Sequence, residues 1–177
     1  MSLIVTSPEK CIGCHTCEVA CAVVHVGGVA QTAHHYFPRL RVIKLSNISA
    51  PVMCRQCENA PCVAVCPTGA LYQKEEEVAA IGQRCIDCKS CVVACPFGAI
   101  EIVSQPDQGL QGNPLIIKCD LCSGQQSGPA CVSVCPTDAL AIVTAAGLSL
   151  QQQIKQQKAA INSRVSGLCL LEESSHG

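Results

Sequence analysis

Short apolar runs separated by cysteine-rich loops make up the hydrophobic pattern of this chain. Residues 3–6 form a β-type run that ends before Pro8. Residues 39–44 alternate between apolar and charged side chains, as a half-buried strand does. Further short strands are predicted at 78–81 and 115–118. The pattern therefore predicts several short strands distributed along the chain.

A ten-residue pattern, C-x3-C-P-x2-A followed by an aliphatic residue, occurs at 62–71, 91–100 and 131–140. An internal repeat of this kind predicts a duplicated structural unit. We expect each copy to contain a strand, a cysteine loop, a short helix and a second strand.

Two helices and one hairpin tip complete the predicted elements. A short helix is expected over 18–24, where no proline follows the last cysteine and the helix can continue. Residues 148–165 are rich in Gln, Lys and Ala and predict a surface helix. The three glutamates at 75–77 predict a solvated hairpin tip, and 27–35 and 105–113 are expected to be loops.

Composition adds that side chains alone make a poor core here. The chain has 177 residues, with 17 cysteines, no tryptophan, and only two tyrosines and two phenylalanines. Aromatic side chains normally bury large areas, so inorganic clusters are expected to fill part of the interior. The net charge of −1 gives no basic field for nucleic acid. No apolar run reaches the ~18 residues that span a bilayer, so no membrane span is expected.

Sixteen of the cysteines fall into four runs with related spacing. The third run reads C-x2-C-x2-C-x3-C-P, which is typical of [4Fe–4S] ligation. In such runs three thiolates hold one cube and the fourth ligates another. The four runs are Cys11, Cys14, Cys17 and Cys21; Cys54, Cys57, Cys62 and Cys66; Cys85, Cys88, Cys91 and Cys95; Cys119, Cys122, Cys131 and Cys135.

Other uses of so many cysteines fit less well. A disulfide scaffold belongs to secreted chains, and residues 1–5 lack the basic start and apolar segment of a signal peptide. Zinc sites usually come as separated C-x2-C pairs, whereas here two such steps follow directly on each other. The sequence therefore predicts four [4Fe–4S] clusters, with a zinc-dependent interaction module as the alternative.

Residues 3–145 resemble the four-cluster ferredoxin-type subunits of molybdopterin oxidoreductases. They are most similar to the small iron–sulfur subunits associated with formate hydrogenlyase and formate dehydrogenase. The resemblance lies in the widened gap between Cys57 and Cys62, the long gap between Cys122 and Cys131, and Cys-Pro after three of the four runs.

The resemblance implies an α+β fold of two nested dicluster ferredoxin-like modules. The outer module comprises 1–46 with 107–146, the inner module comprises 47–106, and a C-terminal helix and tail occupy 147–177. The resemblance also implies four ligand sets: Cys11, Cys14, Cys17 and Cys135; Cys119, Cys122, Cys131 and Cys21; Cys54, Cys57, Cys62 and Cys95; Cys85, Cys88, Cys91 and Cys66. Spacing alone supports the division into three ligands plus one.

The expected function is non-catalytic electron transfer, because no phosphate loop and no nucleophile–base pair is evident. The resemblance implies a molybdopterin-dependent, formate dehydrogenase-like catalytic partner and a second redox partner such as a hydrogenase. A free-standing polyferredoxin shuttle and an accessory maturation factor are the alternatives. A cytoplasmic location is expected, although related subunits can be exported attached to a partner.

Four residues outside the ligand sets are expected to play smaller roles. Cys169 is predicted to be a spare thiol. His15, in the first cysteine loop, is predicted to support the ligands or face the surface. His34 and His35 are expected to bind neither metal nor partner.

Three loop residues carry more specific expectations. Gly13 is expected at positive φ, where the backbone turns around a cube. Arg55 and Lys89 lie within cysteine loops. Their charges either raise the potential of a cluster or solvate its rim, and the sequence leaves both interpretations open.

Overall fold

The computed structural model describes residues 2–26, 36–75, 77–104 and 113–172, with side chains described up to residue 162. The structure is mixed α/β and built from short elements. The strands are β1 (Ser2–Thr6), β2 (Leu40–Lys44), β3 (Ser49–Met53), β4 (Leu71–Lys74), β5 (Glu77–Ala80), β6 (Glu101–Val103), β7 (Leu115–Ile117) and β8 (Leu140–Thr144). The helices are α1 (Thr16–Val26), α2 (Pro61–Ala64), α3 (Ser90–Ala94), α4 (Ala130–Ser133) and α5 (Ala145–Glu172), and Gly82–Arg84 form one 3-10 turn.

The strands of the described residues pair two by two, in the order β1–β8, β2–β3, β4–β5 and β6–β7. The last three pairs are antiparallel, with Val42 opposite Pro51, Leu71 opposite Ala80 and Ile102 opposite Ile116. The short strands predicted from the apolar runs are confirmed. The antiparallel β4–β5 pair places a hairpin where the tip was predicted, with Glu77 already in β5, and Glu76 lies outside the described residues.

The absence of a proline after the first run has the expected effect on helix length. Helix α1 extends over 11 residues, whereas α2, α3 and α4, each followed by Cys-Pro, have four or five residues. A residue before proline is driven out of the helical region. Cys95, which precedes Pro96, accordingly has an extended backbone with φ −74° and ψ 113°.

Cysteines form a large part of the interior, as the shortage of aromatic residues predicted. One buried cluster contains Cys17, Cys21, Cys54, Cys119 and Cys131 among aliphatic side chains. A second buried cluster contains Cys62 and Cys91. Helix α1 packs against α4, and α2 packs against α3. The core is therefore arranged around sulfur atoms.

Two strand pairs cross the expected boundaries between the modules. The boundary after residue 46 falls between β2 and β3, which pair with each other, and the boundary after residue 106 falls between β6 and β7, which also pair with each other. The division into nested modules stays a prediction.

The described residues from Val143 onward form a separate compact unit that contains α5. The predicted surface helix is confirmed, and it is longer than the predicted 148–165. Among the described residues, no helix is both long and apolar enough to cross a membrane. His34, His35 and most of the expected loop 105–113 lie outside the described residues, as does the side chain of Cys169.

Candidate iron–sulfur sites

Each cysteine run begins with the same backbone turn. The second residue after the first cysteine has a positive φ in all four runs: Gly13 (68°), Gln56 (49°), Asp87 (56°) and Leu121 (56°). A non-glycine residue pays roughly 1–2 kcal/mol for this conformation, so the loop geometry must require it. The expectation for Gly13 is confirmed, and an added Cβ there would lie 2.9 Å from the Ser49 Oγ.

A second shared turn follows each Cys-Pro. The backbone N–H of Gly69, Gly98 and Asp138 donates to the carbonyl oxygen of Cys66, Cys95 and Cys135, over 3.4, 3.3 and 3.4 Å. These three donors also have positive φ, which glycine and aspartate tolerate better than most residues. The turn leads the chain from the last cysteine of a run into the next strand, so the repeat seen in the sequence is also a structural repeat.

Three cavities are each bounded by four cysteines, three from one run and one from another. We call them site 1, site 3 and site 4. Site 1 is lined by Cys11, Cys14, Cys17 and Cys135, site 3 by Cys54, Cys57, Cys62 and Cys95, and site 4 by Cys66, Cys85, Cys88 and Cys91. Four thiols around one small, otherwise mainly apolar cavity are the donor set that a [4Fe–4S] cube requires.

The remaining four cysteines, Cys21, Cys119, Cys122 and Cys131, are all buried and are called site 2. Burial, and then the neighbouring Cys119 and Cys21, raise the pKa of Cys131 to about 12. Burial also raises the pKa of Cys119 to about 11. Thiols with raised pKa values resist ionisation, so cluster binding must supply the free energy that deprotonates them.

Sites 1 and 4 differ from sites 2 and 3 in exposure. Cys14 and Cys88 are the two exposed cysteines among the sixteen whose side chains are described, and they belong to sites 1 and 4. A hydroxyl hydrogen bond from Thr16 lowers the pKa of Cys14, and one from Ser90 lowers the pKa of Cys88. The Thr16 hydroxyl lies 3.3 Å from the Cys14 Sγ. Cys14 and Cys88 therefore lose a proton more easily to give the thiolate, the form that binds iron.

A charged group that the sequence did not reveal lies beside site 2. The His25 Nδ1 lies 2.7 Å from the Cys21 carbonyl oxygen, and its Nε2 lies 3.1 Å from an Asp120 carboxylate oxygen. Both partners are acceptors, so both ring nitrogens donate and the imidazole is protonated. The hydrogen bond with Asp120, followed by those with Cys122 and Cys21, raises the pKa of His25 to about 12.

Arg39 completes this group. Its guanidinium pairs with Asp120, and its backbone N–H donates to the Cys21 Sγ over 3.3 Å.

The contact between His25 and Cys21 had a signal in the sequence. The two residues are four positions apart, and residues at i and i+4 of a helix are neighbours.

Lys118 and Gln56 connect site 2 with site 3, and neither role was predictable from the sequence. The Lys118 Nζ lies 2.7 Å from the Cys119 carbonyl oxygen and 3.8 Å from the Cys54 Sγ. The Gln56 side chain donates to the same carbonyl oxygen over 2.7 Å and accepts from the Val78 N–H over 3.0 Å. Both side chains are buried, so two polar groups hold the second and fourth cysteine runs together.

The loop residues singled out in the sequence lie at the cavity walls. His15 lines site 1 and its Nδ1 lies 3.1 Å from the Glu18 carboxylate. Arg55 lines site 3, and Lys89 lines site 4. These positions agree with supporting rather than ligating roles, because each cavity already has four cysteines.

Comparison with known families decides the class of protein. The model of the 4Fe-4S dicluster domain matches residues 46–145, and that of a 4Fe-4S binding domain matches residues 8–24. This chain belongs to the 4Fe-4S dicluster domain family. Family membership and the sixteen cysteines in cluster-type spacing show that the chain binds [4Fe–4S] clusters, four in number.

Relatives from Escherichia coli (strain K12) agree. The electron transport protein HydN is 43% identical over 169 residues, which cover 89% of this chain and 97% of HydN. Hydrogenase-4 component A is 37% identical over 186 residues, covering 88% of this chain and 87% of that protein. The putative oxidoreductase AegA is 44% identical over 147 residues, or 82% of this chain, and this chain spans only 22% of its length. The family member described here is a ferredoxin-type electron-transfer protein.

Proposed function

We propose that sites 1 to 4 each hold one [4Fe–4S] cube and that the chain relays electrons through them in the order 1, 2, 3, 4. The observation that carries the proposal is the composition of the three cavities, each lined by three cysteines of one run and one of another. The pairing of α1 with α4 and of α2 with α3 supports the exchange of fourth ligands within each pair of runs.

The proposed order follows from shared elements and from exposure. Sites 1 and 2 share α1, which carries Cys17 and Cys21. Sites 3 and 4 are joined through α2 and α3. Helix α2 carries Cys62 of site 3 and is followed by Cys66 of site 4, and α3 carries Cys91 of site 4 and is followed by Cys95 of site 3. Lys118 and Gln56 connect site 2 with site 3. The exposed cysteines Cys14 and Cys88 belong to the two ends of this order, where electrons would enter and leave.

A variant of one exchanged ligand tests these sets. Cys95→Ala is expected to remove the cube of site 3, lowering iron from about sixteen to about twelve per chain, or to convert it to a three-iron cluster, which leaves about fifteen. Cys169→Ala, which removes a cysteine outside the sets, is the matched control and should leave iron content unchanged. A Cys88→Ala variant identifies the spectroscopic signal of the site 4 cube. Loss of that signal from Cys95→Ala, instead of the signal of the site 3 cube, would contradict the ligand sets.

The proposed role is a non-catalytic, cytoplasmic subunit that connects a molybdopterin-dependent, formate dehydrogenase-like enzyme with a second redox protein such as a hydrogenase. The resemblance of the cysteine runs supports the first partner. The name of one relative, hydrogenase-4 component A, supports the second.

Purification of the tagged chain under anaerobic conditions tests the partners. The proposal expects a molybdopterin enzyme to copurify and formate to reduce the clusters of the complex. Isolation of the loaded chain alone, unreactive with formate in the presence of the enzyme, would favour a free shuttle. A chain needed for assembly of the enzyme, but not for electron transfer by the assembled enzyme, would be a maturation factor.

A further inference from the structure

Lys118 is a buried cation that has no carboxylate partner within the described part of the chain. Its side chain is 4% exposed, and burial of an unpaired ammonium is costly. Within the described residues, no Asp or Glu forms an ion pair with Lys118. Asp120, two positions along the chain, is instead engaged by His25 and Arg39. A compensating negative charge must therefore come from elsewhere.

The geometry points to the cluster sites on either side of Lys118, because its Nζ contacts a cysteine sulfur of site 3 and a cysteine carbonyl oxygen of site 2. The Lys118 Nζ donates to the carbonyl oxygen of Cys119, a site 2 cysteine, and to the Sγ of Cys54, a site 3 cysteine. The Lys118 charge therefore lies beside ligand residues of both sites.

We propose that the positive charge of Lys118 raises the reduction potentials of the cubes in both site 2 and site 3. This inference rests on the ligand sets proposed above. Adding one electron to a cube adds one negative charge, which a nearby buried cation stabilises more strongly than an exposed cation does. Sites 1 and 4 each have a hydroxyl donor and an exposed cysteine, and no buried cation lines either cavity among the residues that the structure describes. The charge of Lys118 thus favours reduction of the two central sites.

An uncharged variant that keeps a hydrogen-bond donor separates charge from folding. In fully loaded Lys118→Gln, two of the four midpoint potentials in an EPR-monitored titration should fall. At a fixed applied potential, the ratio of reduced to oxidised cluster at each of these two sites should fall at least tenfold. This change corresponds to a midpoint potential lower by about 59 mV for one electron. The other two potentials should move less. Lys118→Arg keeps the charge and should restore the potentials.

Lys89→Met is the matched control, because Lys89 also lines a cluster cavity but its side chain is 59% exposed. Its removal should change the site 4 potential by clearly less than a factor of ten.

Three outcomes would overturn the inference. Four unchanged potentials in loaded Lys118→Gln would do so while leaving the four-cluster assignment intact. Loss of iron from Lys118→Gln, with wild-type iron and potentials in Lys118→Arg and Lys118→Met, would also contradict a role of the charge. Fewer than four clusters in the wild-type protein would overturn the ligand sets themselves.

Discussion

Gln56 provides the sharpest test of how the two halves of the chain are held together. Its side chain is fully buried, and it bonds to the Cys119 carbonyl oxygen and the Val78 N–H. Gln56→Leu has a similar volume but neither donates nor accepts. The Val78 N–H is then buried without a partner, while the Cys119 carbonyl oxygen keeps the bond from Lys118.

The structure gives the expected size of the effect. An unsatisfied buried N–H costs about 1–3 kcal/mol, and loss of one of two bonds to a carbonyl costs about 0.5–1.5 kcal/mol. The substitution should therefore destabilise the folded, loaded protein by roughly 1.5–4.5 kcal/mol. If this destabilisation acts on unfolding, the rate rises by about 10- to 1,600-fold, since 1.4 kcal/mol is a factor of ten.

Cluster-loaded proteins do not unfold in two states, so the assay is the rate at which the visible cluster absorbance is lost in guanidinium. Gln73→Leu is the control, because Gln73 lies opposite Val78 in the β4–β5 hairpin but is exposed. A surface change of this kind should stay within about 0.5 kcal/mol. Equal rates for Gln56→Leu and Gln73→Leu would refute the connecting role of Gln56.

Three further predictions follow from single residues. Asp120→Asn removes the largest cause of the raised pKa of His25 and should speed cluster loss. The difference in the rate of cluster loss between the variant and wild type should be greatest between pH 3.8 and 6.5, and it should narrow as pH rises towards about 12. A difference that stays constant from pH 6.5 to 10 would argue against this linkage. Gly13→Ala should cost more stability than Gly69→Ala, because both have positive φ but only Gly13 has an atom within 3 Å of the new Cβ; equal unfolding rates would count against the close approach. Arg55→Ala should lower the potential of site 3, whose cavity Arg55 lines, and an unchanged redox titration would show that Arg55 only solvates the rim.

The cluster sites were predictable because their ligands follow local rules. Three cysteines of each run lie within about a dozen residues of one another, so spacing alone identified the chemistry. Proline after Cys66, Cys95 and Cys135, and its absence after Cys21, predicted the difference in helix length. The short strands followed from apolar runs on either side of these loops.

The groups between the sites were not predictable, because their partners are distant in sequence. His25 meets Asp120 across 95 positions, and Gln56 meets Cys119 across 63. No local pattern records such contacts. Strand β3 escaped prediction because it contains Pro51, which argues against a strand interior. In a two-stranded ribbon each strand has a free edge, so the missing N–H of a proline is tolerated there.

The most direct test of the central claim is the iron and acid-labile sulfide content of the anaerobically purified chain, combined with Mössbauer spectroscopy. Four cubes held by sixteen cysteines predict about sixteen iron and sixteen sulfide per chain, all in [4Fe–4S] form. A value near eight or below after full reconstitution, or disulfide bonds between cysteines of sites 1 to 4, would contradict the account.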